Sequence, residues 1–255
     1  GETDPSDIDD YVSDGGYAGL AKALSGSPED VIAQVKDSGL RGRGGAYFPA
    51  ALKWQGARGV DRTPRYLVVN SEEGEPGIFK DRHLMEGVPH RIVEGAVIAA
   101  YAAGAEQAYI YINAEAELSA ARMQTALEQA YDRGLLGKDM LGSGFDLEFE
   151  IRRGAGGYVC GEETTLLNTM EGVRREPRLR PPFPTESGLL ASPTVINNPE
   201  TLASVPFILA NGSDAFATVG TESDKGTKIV SVSGSVRRPG IAEVPMGTTL
   251  REIVY

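Results

Sequence analysis

Two glycine-rich segments constrain this chain more than any other feature: Gly39 to Phe48, and Gly154 to Gly161. Glycine reaches positive φ without steric cost and lets another group approach the backbone, so such clusters mark tight loops or ligand cradles. Glycine makes up 32 of the 255 residues, about one in eight against roughly 7% in ordinary usage. No glycine triplet period exists, which excludes a collagen-like rod and puts the surplus into loops. With 41% hydrophobic and 24% charged residues the chain is otherwise ordinary for a globular protein. Its length suits one large domain, or one plus part of another.

The first loop follows a predicted helix. Ser27 caps it, Pro28 takes its first position, Glu29 and Asp30 its first turn, and Val31, Ile32 and Val35 its apolar stripe before Gly39 ends it. Gly42-Arg43-Gly44-Gly45 then offers backbone N–H groups to an anion, with a plain turn as the competing reading. The loop is not a dinucleotide fingerprint, because Tyr47 stands at the sixth position and a helix precedes it where a strand is required. A short helix through Leu52 and Trp54 follows.

The second loop is placed differently. It follows a predicted strand, Phe145 to Arg152, and opens a helix, the arrangement that puts ligands at the carboxyl edge of an open α/β sheet. Glu162 and Glu163 in that first turn suit the helix dipole and disfavour a phosphate there, but serve a ring that donates N–H groups. Asn70, Glu72, Glu73 and Glu75 follow the first predicted strand, residues 65–70, at the same sheet edge. A hard cation on the three glutamates is a competing idea.

Residues 88–103 and 115–133 read as amphipathic helices, with a second strand at residues 108–112 between them. Alternation of strand and helix predicts an α/β fold with a mainly parallel sheet. Residues 1–14 read as an acidic loop or arm and 173–199 as an extended, Pro- and Arg-rich loop. Asn197-Asn198-Pro199-Glu200 caps a helix over about 199–210. From Thr227 a strand, a turn at Arg238-Pro239-Gly240 and a helix start at Thr249 suggest a small α+β module, expected to be truncated at Tyr255.

The net charge of −11 disfavours bulk nucleic-acid binding. Residues 1–30 hold eight acids against Lys22, whereas residues 36–65 hold seven bases against Asp37 and Asp61. That basic stretch suits a small anionic ligand or a solvated basic face. A lone Cys160 excludes a disulfide or a cysteine-held cluster within these residues, and reads as a buried thiol or, less simply, a nucleophile. His83 and His90, seven apart, read as ordinary residues that could share a helix face. No stretch is apolar enough to insert in a membrane and the start lacks a signal-peptide pattern, so a soluble protein of a reducing compartment is expected. Phe48 and Phe183 flank Gly- and Pro-rich loops, where each could stack on a base or belong to the core.

Four blocks together resemble one family: Ser38-Gly39-Leu40-Arg41-Gly42-Arg43-Gly44-Gly45-Ala46, then Asn70-Ser71-Glu72-Glu73-Gly74-Glu75-Pro76-Gly77 with Lys80-Asp81-Arg82, then Arg153 to Thr164, and Pro181-Pro182-Phe183-Pro184 with Asn197-Asn198. They are similar to the NADH-oxidising, FMN-binding flavoprotein subunit of respiratory complex I and to the diaphorase subunits of NAD-linked hydrogenases and formate dehydrogenases. The resemblance implies a Rossmann-like FMN/NADH domain over residues 15–226 and the start of a ubiquitin-like β-grasp module over 227–255. It implies FMN on Gly42, Arg43, Gly44, Gly45, Lys53, Asn70, Glu72, Tyr158, Gly161, Glu162, Asn197 and Asn198. NADH would lie near Phe48, Glu73, Glu75, Glu163, Arg180 and Phe183, the aromatics holding adenine.

The implied reaction is hydride transfer from NADH to FMN. Single electrons then leave to iron–sulfur centres, among them those of a thioredoxin-like [2Fe–2S] subunit in a multi-subunit oxidoreductase on the cytoplasmic or matrix side of a membrane. The family's four-cysteine [4Fe–4S] site has no counterpart here, since only Cys160 is present. This sequence also departs from the family pattern with Tyr47 for a usual Gly, Glu72 for Asp, Arg180 for Lys and Pro199 for Val. A degenerate relative serving as a structural scaffold is the alternative.

Overall fold

In the computed structural model, residues 4–154 and 156–255 are described; Gly1, Glu2 and Thr3 of the acidic arm and Ala155 of the second glycine-rich loop lie outside the described residues. The elements run α1 (Ile8–Ser13), α2 (Ala18–Ser25), α3 (Pro28–Asp37), α4 (Ala50–Arg58), β1 (Tyr66–Ser71), α5 (Lys80–Gly87), α6 (Pro89–Ala103) and β2 (Gln107–Ile112). They continue α7 (Glu117–Asp132), β3 (Glu148–Arg153), α8 (Glu163–Met170), α9 (Pro184–Ser187), β4 (Thr194–Asn197), α10 (Pro199–Asn211), α11 (Ser213–Ala217), β5 (Thr227–Val232), β6 (Gly240–Pro245) and α12 (Leu250–Val254).

Strands β3, β2, β1 and β4 form a four-stranded sheet in that order, every pair parallel, as the strand–helix alternation predicts. Leu67 and Val69 of β1 and Ile110 and Ile112 of β2 are fully buried against the helices on one face, while Val68, Tyr109, Leu166 and Leu167 form a smaller core on the other. Helix α6 supplies the centre of the larger core because its run of small residues lets neighbours pack closely. A Cβ at Gly95 would run into the Leu202 backbone of α10, so glycine there sets the spacing of those two helices. Strands β5 and β6 pair antiparallel into a separate two-stranded sheet that leads into α12.

Four expectations need correction. The acidic arm is not a loop throughout: Asp7 caps α1 by accepting from the Asp9 amide, and Tyr11 donates a 2.6 Å hydrogen bond to the buried Glu94 of α6. The third strand begins at Glu148, because the Phe145 carbonyl is taken by the Met140 amide in a turn. The segment 173–199 holds helix α9 and the buried strand β4. Finally, His83 and His90 lie on separate helices divided at Val88. His90 is buried between Tyr17 Oη and Gln129 Oε1, each at 2.9 Å. Cys160 is a buried free thiol.

Candidate functional site

The strand order reverses between β1 and β4, since the chain leaves β1 toward β2 on one side and β4 pairs on the other. In open parallel sheets such a reversal opens a crevice at the carboxyl ends of the strands. Here those ends carry Asn70 and Asn197, and the loop after β3 folds over them. Three adjoining cavities result. The largest, about 580 Å³, is lined by Gly44, Gly45, Asn70, Glu72, Glu75 and Tyr158. A second, about 250 Å³, shares Gly44, Asn70 and Asn198 with it and adds Gly42, Lys53 and Asn197. A third, about 330 Å³, shares Phe48, Lys53, Glu163 and Arg180 with the second and adds Leu52 and Phe183. The sequence-predicted residues therefore line one cleft.

The first glycine-rich loop is pinned at its base and open at its tip. Gly42 donates to the Phe48 carbonyl at 2.8 Å and the Arg43 amide to Thr201 Oγ1 at 2.8 Å. Beyond them, the amides of Gly44, Gly45 and Ala46 have no acceptor among the described residues. Gly45 sits at φ 116°, where a side chain is strained. A Cβ on Gly44 would lie 3.0 Å from Asn198 Cβ. Exposed, unpartnered amides that include two successive glycines are the kind of backbone arrangement that can hold an anion.

Arg43 differs from its neighbours. Its guanidinium is buried and committed to three carbonyls, those of Arg41 at 3.0 Å, Lys225 at 2.7 Å and Thr227 at 2.9 Å. It thus ties the loop to the start of β5. Tyr47, in the left-handed region at φ 57°, reaches to the same segment. Its hydroxyl donates to Asp224 Oδ1 at 2.7 Å, and the Arg41 and Arg43 guanidinium carbons lie 5.2 and 5.8 Å from its ring centroid.

On β1, Asn70 donates from Nδ2 to the Gly161 carbonyl at 2.9 Å, joining the first strand to the second glycine-rich loop. Glu72 Oε1 accepts from Asn113 Nδ2 at 2.6 Å, while its buried Oε2 has no hydrogen-bond partner among the described residues. Burial pushes the Glu72 carboxyl above the usual carboxylate range. Glu73 is spent on structure: it accepts from the Asp81 amide at 2.8 Å and the Arg82 amide at 3.2 Å, which caps α5. Burial, with Asp81 adding to it, raises its carboxyl too. Glu75 is exposed and meets the Tyr158 hydroxyl at 3.4 Å. The three acids face separate partners, and among the described residues no group of three or more His, Cys, Asp or Glu side chains is arranged to hold a metal ion.

Across the cleft, Glu162 caps α8 by accepting from the Thr164 and Thr165 amides at 3.0 and 2.8 Å. It also pairs with Arg180, whose other nitrogen lies 3.1 Å from Glu163. Although burial opposes it, bonding to Thr164, Thr165 and Arg180 holds the Glu162 carboxyl below its ordinary value. Glu163 also pairs with Lys53 at 3.0 Å. Asn197 accepts from Trp54 Nε1 at 2.8 Å, and Asn198 caps α10 and donates to Asp81 Oδ2 at 2.7 Å. Phe48 and Phe183 are 48% and 51% exposed on the wall of one cavity, so neither is a core residue.

Sequence reasoning gave no role to the buried charges behind the cradle. Lys80 lies 2.6 Å from Asp81 and 2.9 Å from Glu200, and Lys228 of β5 lies 3.8 Å from Glu200. The Lys80-Asp81 pair stood in a quoted motif, yet nothing in the linear pattern signals that Lys228 comes within 3.1 Å of the Arg43 carbonyl, 185 residues away.

Residues 35–207 match the Nuo51 FMN-binding domain and residues 229–255 the SLBB domain. The chain is 50% identical over 248 residues to an NADH-quinone oxidoreductase subunit of Aquifex aeolicus, covering 97% of this chain and 58% of that protein. It is 48% identical to the NADP-reducing hydrogenase subunit HndC of Solidesulfovibrio fructosivorans, covering 100% of this chain and 52% of that one. A crystal structure of an NAD+-reducing [NiFe]-hydrogenase in the H2-reduced state superposes with a TM-score of 0.86 at 39% identity, over 94% of this chain and 40% of the other. The chain thus spans little more than half the length of these curated relatives, and it belongs to the Nuo51 FMN-binding domain family, with an SLBB segment after it.

Proposed function

We propose that the cleft binds FMN with a nicotinamide dinucleotide against it, and that the chain is the electron-input unit of a larger oxidoreductase. The observation that carries this is the pairing, in one cavity, of the unpartnered amides of Gly44 and Gly45 with the carboxylates of Glu72 and Glu75. A phosphate suits the first and a ring N–H the second. Bound FMN would supply hydride acceptance and one-electron release, chemistry that no side chain provides.

The residues supply binding and orientation. Gly42, Gly44 and Gly45 leave room for the nucleotide, Lys53 and Asn198 line its polar wall, and Asn70 holds the Gly161 loop over it. Asn197, fixed by Trp54, and Glu162, fixed by its cap, keep the walls rigid, while Arg43 acts through the loop it anchors. On the outer side Phe48 and Phe183 offer faces for an adenine, Arg180 and Glu163 flank the entry, and Glu75 and Tyr158 border the nicotinamide end. Glu73 supports the site through α5. Stacking of nicotinamide on a fixed flavin is the orientation such a cleft would provide.

Relatives named as subunits of NADH-quinone oxidoreductase and hydrogenase support assembly into a multi-subunit oxidoreductase, and iron–sulfur partners, including a thioredoxin-like [2Fe–2S] subunit, are the electron acceptors that this reading assigns. We read residues 15–226 as the nucleotide unit and 227–255 as its β-grasp neighbour. Among the described residues no helix is long and apolar enough to cross a membrane, which suits a unit attached through partners on the cytoplasmic or matrix side. The test is to purify the chain with FMN and follow NADH-dependent ferricyanide reduction. A yellow protein with activity is expected; a colourless protein that takes up no flavin refutes the proposal.

A further inference from the structure

Lys228 lines the largest cavity together with Gly44, Gly45 and Asn198, although it belongs to β5 of the small sheet. Its Nζ donates to the Arg43 carbonyl at 3.1 Å, immediately before the unpartnered amides begin. The nearest carboxylate oxygen, Glu200 Oε2, is 3.8 Å away and already lies 2.9 Å from Lys80. Glu200 Oε1 accepts from the Ile229 amide at 2.6 Å. Asp81 is held by Lys80 at 2.6 Å and by Asn198 at 2.7 Å. Glu73 and Asp224 add their charge beside Lys80 and Arg43, whereas Lys228 meets no carboxylate oxygen nearer than 3.8 Å among the described residues and lines the open cavity.

Burial destabilises the charged form of Lys228, and Lys80 and Arg43 add to that while Glu200 and Asp81 oppose it. An anion placed beside it would relieve this cost. Lys53, a cation that the family resemblance places on FMN, pairs with Glu163 at 3.0 Å.

We propose that Lys228 is a phosphate-binding residue of the nucleotide cleft, its ammonium acting with the amides of Gly44 and Gly45 on the phosphoryl group of the flavin nucleotide. The proposal rests on the reading of the cleft as an FMN site and adds to it that the first residues of β5, where the chain enters the SLBB segment, build part of the cofactor wall. Glu72 and Glu75 line the same cavity. A ligand with a phosphate at one end and an N–H-bearing ring at the other matches its mixed charge.

Riboflavin carries the same ring without the phosphate, which gives the test. On the 255-residue chain, Lys228→Gln keeps a donor for the Arg43 carbonyl and removes the charge. Affinities for FMN and riboflavin are measured by flavin fluorescence, beside a thermal melt. FMN affinity is expected to fall about tenfold or more, as for loss of a charge-assisted bond, with riboflavin within about twofold of the unsubstituted chain. Lys228→Arg should hold FMN affinity within about threefold. Should Lys228→Gln not fold, Lys228→Met gives the same comparison. Equal loss of both flavins, or no loss of either, overturns the role of Lys228. An unsubstituted chain that binds neither flavin overturns instead the reading on which it rests.

Discussion

Gly44 is the residue where a single carbon should separate ligand binding from folding. Its φ is not in the left-handed region, so a side chain there meets no backbone penalty and the effect depends on space alone. A Cβ would lie 3.0 Å from Asn198 Cβ and 3.5 Å from its Cγ. Asn198 cannot readily yield, because Oδ1 accepts from the Glu200 amide at 3.0 Å and from Lys80 at 3.2 Å, while Nδ2 donates to Asp81 at 2.7 Å.

Overpacking a fixed neighbour costs about 1–3 kcal/mol, with Gly44→Ala at the lower end and Gly44→Val at the upper. For a chain of this size each kcal/mol corresponds to roughly 2–4 °C in Tm, so the valine variant remains folded at room temperature. Its extra methyls stand in the cradle itself, and FMN affinity should fall at least about a hundredfold, roughly 2.7 kcal/mol. Flavin fluorescence titration and a thermal melt read the two effects separately. Gly44→Val that binds FMN within a few-fold of the unsubstituted chain would refute the cradle. A loss of binding that merely tracks a collapsed melt would refute the separation.

Three further outcomes are expected. Glu75→Gln should weaken nicotinamide binding more than flavin occupancy and leave Tm unchanged, since its hydrogen-bond partner is Tyr158 at 3.4 Å on the surface; equal loss of both in titration counts against its placement. The Glu72 carboxyl is raised by burial; in the proposed binding mode its ionised form would accept a ring N–H, so FMN binding should release a proton and weaken as pH falls through that raised pKa. Titrations across the acid range should show this, and Glu72→Gln should flatten the dependence. His90 is held below its ordinary pKa chiefly by burial, so the unfolded chain binds the proton more readily. Tm should be steady above the unfolded value of about 6.5 and decline below it, with His90→Gln showing a shallower slope in pH-dependent melts.

Most of the sheet and the acceptors around it were legible in sequence because they are local. The apolar runs of β1 and β2, the cap at Ser27 and the cap at Asn198 each follow from a few adjacent residues. Strand β4 was not, since Thr194 to Asn197 is four buried residues after a proline-rich run and has no period to read. Without β4 the reversal of strand order stays hidden, and with it the reason why Asn70 and Asn197 meet. The motifs placed Glu73 and Arg43 at the site, where both line the largest cavity, but not their own bonds: the Glu73 carboxylate takes the amides of α5 and the Arg43 guanidinium three carbonyls. Charge pairing across the fold is not encoded in spacing along the chain.

The bonds from Arg43 to Lys225 and Thr227 have a consequence for biosynthesis. A ribosome makes the glycine-rich loop early and the strand that anchors it about 180 residues later. A nascent chain complete through α10 has its parallel sheet and its cleft floor, yet the buried Arg43 guanidinium still lacks two of its three carbonyl acceptors. The loop gains its last two anchors only when the start of β5 emerges, so a nascent chain that ends at α10 holds the glycine-rich loop less firmly than one that includes β5.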